Sequence, residues 1–183
     1  MDVISDKQFK GIDFSKELFT KAEYENCTFN NCIFSKVNFT GINFLDCIFE
    51  SCDLSMSILK NTGFQSVTFK QCKLIGLHFN LANSFSISFH FIDSNLTLST
   101  FFQLKLKNTK FENCNLQEVD FVEISQKYFD AANHSVDYCN VDFLQQDYNP
   151  DIYGNVPDED NGNLSDHETC GSCYLCMNSV SQF

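Results

Sequence analysis

Residues 22–56, written in fives, read AEYEN CTFNN CIFSK VNFTG INFLD CIFES CDLSM. The third letter of each block is large and apolar: Tyr24, Phe29, Phe34, Phe39, Phe44, Phe49 and Leu54. The first letter is Ala22, Cys27, Cys32, Val37, Ile42, Cys47 or Cys52, and the other three are mostly Asn, Ser, Thr, Asp, Glu and Lys. Each unit therefore has two side chains suited to the inside and three suited to water. Working outward, the large series reaches back to Phe9, Phe14 and Phe19 and forward through Leu59, Phe64, Phe69, Leu74 and Phe79. The second series continues through Ser57, Thr62, Val67, Cys72, Leu77, Ala82 and Ile87.

Neither common element has this period. In an α-helix a step of five residues advances about 500°, which scatters the aromatics around the axis. In a flat strand an odd step alternates faces. One series stays inside only if the chain turns a corner once per unit, so the pattern predicts a coil rather than a layered domain. Cys32, Cys52 and Cys72 are twenty residues apart, as are Cys27 and Cys47, which indicates four units per turn with like stacked on like. Each turn then lies roughly 4.8 Å above the last, and its backbone groups pair with those of its neighbours.

Units such as Cys32-Ile33-Phe34-Ser35-Lys36, Val37-Asn38-Phe39-Thr40-Gly41 and Cys114-Asn115-Leu116-Gln117-Glu118 resemble the pentapeptide-repeat family, and the resemblance runs from about Phe9 to Phe121. It implies an all-β fold, a right-handed quadrilateral β-helix, with Phe29, Phe34, Phe39, Phe44, Phe49, Phe64, Phe69, Phe79, Phe111 and Phe121 as its structural core. Residues 1–143 are assigned to this solenoid and 144–183 to an irregular, acidic, disordered tail. Pro150, Pro157 and the run from Asp158 to Asn163 motivate the second assignment.

The register is interrupted once. Ser84 falls on a centre position, Phe85 is out of phase, and Phe89 is read as the return to phase before the series Leu96, Phe101, Leu106, Phe111, Leu116, Phe121. The two blocks differ by a net insertion of two residues, placed as a bulge or loop between Asn83 and Asn95. Beyond residue 124 the repeat degenerates. Gln126 falls at the next centre, and a third phase runs through Tyr138, Phe143 and Tyr148, preceded by Val136 and Val141.

The composition fits one repeated packing unit: 21 Phe and no Trp in 183 residues, with all twelve cationic residues being Lys. Net charge is −12. Residues 1–143 hold 17 acids and 12 lysines, net −5, and residues 144–183 hold 7 acids and no base, net −7. An acidic chain without Arg lacks the usual phosphate clamps, which argues against direct nucleic-acid binding. No basic start with an apolar run is present, nor any stretch long enough for a membrane helix, so a soluble cytoplasmic protein with free thiols is expected.

The repeat cysteines Cys27, Cys32, Cys47, Cys52, Cys72 and Cys114 share the small inward place, where a compact apolar filler is expected rather than a convergent metal site. In the tail, Cys170, Cys173 and Cys176 form C-x-x-C-x-x-C, which with His167, or with Cys139 as a fourth thiolate, comes nearest to a zinc or iron–sulfur site. A calcium loop centred on Gly162 fails because its first ligand would be Pro157. His78, His90, His134 and His167 are far apart, and no glycine-rich phosphate loop occurs. No metal, no cofactor and no enzymatic activity are expected.

Among its relatives, the chain is similar to the quinolone-resistance type, the Qnr-like branch. That resemblance implies a DNA mimic that binds DNA gyrase or topoisomerase IV and protects it from quinolones. Its candidate partner surface is Asp46, Glu50, Asp53, Glu112, Glu118, Asp120 and Glu123. The other reading is a general scaffold with a protein partner of another kind. A homodimer is also compatible with the family resemblance.

Overall fold

The computed structural model describes residues 1–124 apart from 86, 107 and 108, with side chains through Val122, and the backbone strands Phe129–Ala132 and Asn140–Phe143. Strands β1 (Val3–Ser5), β3 (Glu23–Glu25), β5 (Asn43–Leu45) and β7 (Gly63–Gln65) pair in that order in one parallel sheet. Strands β2 (Gln8–Lys10), β4 (Thr28–Asn30), β6 (Ile48–Glu50), β8 (Val67–Lys70), β9 (Phe89–Ile92), β10 (Thr109–Glu112) and β12 (Phe129–Ala132) form a second parallel sheet. β11 (Asp120–Ile124) pairs with β13 (Asn140–Phe143).

Pairing runs between a residue and the one twenty further on, as in Phe9↔Phe29↔Phe49↔Phe69 and Tyr24↔Phe44↔Phe64. Two further faces are joined by isolated parallel bridges, Asp13↔Ile33↔Asp53↔Lys73 on one and Asn38↔Ile58 on the other. Four faces thus make one turn, and successive turns stack as layers. Face A carries the Phe9–Phe29 column, face B the Phe14–Phe34 column, face C the Phe19–Phe39 column and face D the Ile4–Tyr24 column.

Inside, each face contributes one column. On face A the rings of Phe9, Phe29, Phe49, Phe69, Phe91 and Phe111 stack almost parallel, with centroids 4.7–5.4 Å apart. That separation is set by the inter-strand distance, so ring stacking and backbone pairing demand the same geometry. Rings on adjacent faces meet edge-on, as Phe44 and Phe49 do at 5.3 Å and 75°. Phe29, Phe34, Phe39, Phe44, Phe49, Phe64, Phe69, Phe79, Phe111 and Phe121 are all buried, none more than 2% exposed. At roughly 1.5–3 kcal/mol per buried ring, the column supplies most of the drive for folding.

Each corner has a backbone signature. The residue three before the centre takes a positive φ almost everywhere, at Asn26, Asn31, Lys36, Asp46, Ser51 and onward to Glu118, with Gly11, Gly41 and Gly76 in the same place. Left-handed backbone in a non-glycine residue costs about 1 kcal/mol or more. The parallel ladder above and below holds it there, and the recurrence of Asn and Asp at these corners lowers the cost.

The small inward position does more than fill space. Cys27, Cys47, Cys52 and Cys72 each direct Sγ at the carbonyl of a centre residue in the preceding layer, for example Cys47 to Tyr24 and Cys52 to Phe29, both at 3.3 Å. Ser57, Thr62, Ser94 and Ser99 donate in the same way to Phe34, Phe39, Phe69 and Leu74 at 2.7–3.2 Å. A short side chain with a donor is what this site accepts, which is why Cys, Ser and Thr interchange there.

The insertion appears as a change of pairing interval: Val67↔Phe89, Phe69↔Phe91, Lys73↔Asn95 and His78↔Thr100 are twenty-two apart, and Asn95↔Asn115 returns to twenty. The extra residues follow a 3₁₀ turn at Phe79–Leu81. Ser84 is exposed, and Phe85 projects into solvent with 83% of its surface exposed. One expectation is corrected. Phe89 is not a centre residue; it takes the small inward position opposite Val67, and Phe91 begins the second series of centres. Its ring lies 5.4 Å from Phe64 and 5.2 Å from Phe79, occupying volume that Ser84 does not fill from its exposed place on the connection.

A second correction concerns the third phase. Val141 pairs with Phe121 and so holds the centre register, and Phe143 pairs with Ile124 across an irregularity between Val122 and Ile124. The interval of twenty set by backbone pairing prevails over the side-chain spacing. Gln126, Val136, Tyr138, Tyr148 and residues 144–183 lie outside the described residues.

Candidate interaction surface

Outward side chains repeat with the layers, so chemistry on this surface comes in ladders. On face A, Asn30 donates to Glu50 at 2.8 Å, and Lys70 forms an ion pair with the other Glu50 oxygen at 3.0 Å. Lys70 holds the Glu50 carboxyl below the usual carboxylate range. Further along the same face, His90 Nε2 lies 2.8 Å from Glu112 Oε1. At the corners, Asn26 donates to Asp6 and Asn113 to Asp93, both at 2.6 Å.

The acids singled out from the sequence do not converge. Glu50 and Glu112 stand on face A, Asp53 on face B, Glu118 at the B–C corner, Asp120 on face C and Asp46 at the D–A corner. Several are committed to neighbours: Asp53 accepts from the Ser55 N–H, and Asp120 from the Thr100 hydroxyl and the Val122 N–H. The Glu123 side chain lies outside those described.

The acidic concentration lies elsewhere. Asp6, Glu23, Glu25 and Asp46 fall within the first three layers of face D and its D–A corner, whose outward positions there carry no lysine. Ser5 donates to Glu25 at 3.4 Å and Asn43 to Glu23 at 3.2 Å, which fixes the carboxylates in ladder positions. The sequence carried this signal, since Glu23 and Glu25 flank Tyr24 and Asp6, Asn26 and Asp46 recur at twenty. It emerges only when outward residues are sorted by face as well as by unit.

Two apolar features also reach the surface. One is Phe85 on the inserted connection. The other is the B–C corner, where Met56, Ile58 and Leu98 are 57%, 48% and 56% exposed. Gly76 lies between Met56 and Leu98 on this edge, and a Cβ there would meet Met56 Sδ at 2.6 Å. The first layer departs from the repeat on face C. Glu17 stands at the small inward place and is exposed, so Val37 beneath it is only half-buried. A shallow groove bordered by Phe14, Leu18, Phe19, Lys36 and Val37 results.

The interior thiols are chemically quiet. Burial pushes Cys47 up to about 12 and Cys114 to about 11, and raises Cys32. The Cys72 thiol beside Cys52, together with burial, raises Cys52 further. All six repeat cysteines are free and buried. Among the described residues no His, Cys, Asp or Glu group is arranged to hold a metal. Cys139, His167, Cys170, Cys173 and Cys176 lie outside the described residues. No helix among the described residues is long and apolar enough to cross a membrane.

Residues 22–93 match the family model described as pentapeptide repeat region, and the five-residue units with their four-sided stacking account for the match. Residues 22–93 form a pentapeptide-repeat region. Among solved structures this chain is similar to full-length QnrB1, a plasmid-mediated fluoroquinolone resistance protein. The identity is 17% and the TM-score 0.53, over 75% of this chain and 71% of that one. HetL, a pentapeptide repeat protein of the cyanobacterium Nostoc involved in heterocyst differentiation regulation, aligns at 11% identity over 75% of this chain and 73% of that one, with a TM-score of 0.32. At 17% identity the likeness to QnrB1 concerns the fold alone. Sequence comparison with curated proteins gives no match.

Proposed function

We propose that this protein is a non-enzymatic interaction rod whose face D offers carboxylates to a DNA-binding protein surface, with bacterial DNA gyrase or topoisomerase IV as the candidate partner. The observation that carries the reading is the density of charge on that face. Asp6, Glu23, Glu25 and Asp46 occupy three layers. Three layers span roughly 14 Å, about one charge every 3.5 Å, which matches the 3.4 Å per phosphate along one strand of duplex DNA. The chain's modest net charge is thus no obstacle, because the mimicry is local. The shared fold with a fluoroquinolone resistance protein supports the choice of partner.

The deciding assay is gyrase supercoiling in the presence of a quinolone, with binding measured in parallel. The native protein should bind gyrase, more weakly as salt rises, and restore supercoiling. A Glu23→Lys, Glu25→Lys double variant should retain its fold and lose both effects. Absence of binding by the native protein at low salt rejects the reading. The apolar B–C corner favours a second reading, a scaffold with an apolar partner, for which the double variant would bind unchanged.

A further inference from the structure

We infer that the B–C corner is a self-complementary docking edge through which two copies of this chain associate side by side and antiparallel. The inference is independent of the topoisomerase reading.

Along this corner the outward residue of successive layers is Lys16, Lys36, Met56, Gly76, Leu98 and Glu118. The edge is basic at one end, apolar in the middle and acidic at the other. Asp120, on face C beside Glu118, extends the acidic end. A twofold axis lying in the contact plane, across the rod between the third and fourth layers, reverses layer order and keeps lateral position. Under that operation Glu118 of one copy faces Lys16 of the other, with Lys36 one layer, about 4.8 Å, further along and within its reach; Met56 faces Gly76, and Leu98 faces the layer of Lys36 and Val37.

Three observations agree with this pairing. First, charge is complementary only in the antiparallel sense, since a parallel pair would set the lysines against each other and Glu118 against its own image. Asp13 already forms an ion pair with Lys16 at 2.6 Å and Glu17 is adjacent, so Lys36 is the principal cation. Among the described residues no carboxylate lies within salt-bridge distance of Lys36. Second, the exposed Met56 side chain lies across Gly76 of its own chain, next to the twofold axis, so the apolar middles of the two edges meet there. Third, Leu98 meets the groove over half-buried Val37, which exists because Glu17 does not occupy the small inward position of the first layer.

The contact is small. A strip of six layers and three or four residues covers roughly 400 Å² per copy, about 800 Å² in total, below the usual 1,200–2,000 Å² of stable complexes. A dissociation constant of about 10–100 μM is therefore expected.

Sedimentation velocity of the full chain from 1 to several hundred micromolar, with small-angle scattering at the high end, tests this. The expected result is a concentration-dependent dimer whose maximum dimension stays near that of the monomer. Leu98→Lys, and separately Lys36→Glu or Glu118→Lys at low salt, should weaken association at least about tenfold. The Lys36→Glu, Glu118→Lys combination should recover it. Lys36 and Glu118 are four layers apart in one chain, about 19 Å, so rescue reports contact between chains. A monomer throughout the range, a dimer of doubled length, or no recovery in the combined variant would overturn the inference.

Discussion

Replacing Phe49 by Ala tests the aromatic column where it is most continuous. Its ring stacks on Phe29 at 4.7 Å and Phe69 at 5.1 Å, and meets Phe44 and Phe34 at their edges at 5.3 and 5.8 Å. It is fully buried. Truncating a buried Phe to Ala costs about 3–5 kcal/mol, and each lost ring pair adds about 0.5–1.5 kcal/mol beyond area. The layers pair only with their neighbours and cannot shift sideways without breaking the ladder, so the cavity cannot close and the upper part of the range, about 5 kcal/mol, is expected. Native domains have about 5–15 kcal/mol in all, so the variant should unfold at a much lower urea concentration or fail to fold at 25 °C. Urea titration followed by far-ultraviolet circular dichroism measures it, with Phe85→Ala as the control. Phe85 is 83% exposed, and its loss should change stability by less than about 0.5 kcal/mol. Equal midpoints for the two variants would refute the internal column.

Four more outcomes follow from the same packing. Stability should be level up to about pH 9 and fall between there and pH 12. Cys47 and Cys114 have folded values of about 12 and 11, raised above the ordinary 9, and Tyr24 about 12 against 10, so rising pH ionises these groups in the unfolded chain first. Urea midpoints measured across that range give the sign. The six repeat thiols should resist iodoacetamide at pH 8 in the native protein and react once urea unfolds it; rapid native labelling at Cys47 would contradict its burial. Gly41→Ala should cost about 1 kcal/mol, since φ at Gly41 is +70°, measurable by the same titration. Thr62→Val removes a buried hydroxyl that donates to the Phe39 carbonyl at 2.9 Å and should cost about 1 kcal/mol, whereas Thr62→Ser should be milder.

The amino-acid sequence by itself determined the inside and the outside. A five-residue period with a large and a small inward place has no solution in helices or flat sheets, and cysteines recurring at twenty give the number of units per turn. The inserted pair of residues was legible for the same reason, because any insertion shifts the phase of everything after it. How the insertion is absorbed was decided only in three dimensions. Phe89 shares its phase with Phe79, yet backbone pairing seats it at the small position, where its ring takes up the volume that exposed Ser84 leaves. Val141 rather than Phe143 likewise holds the centre register, because the backbone ladder fixes the pairing. The candidate surface was less legible than the core. Acids chosen as outward by unit fell on three faces and two corners, since outwardness depends on position modulo five and facing depends on position modulo twenty. Face D, the B–C edge and the donor role of the inward cysteines come into view only when the layers are stacked, because each joins residues twenty or more apart through contacts that no local stretch contains.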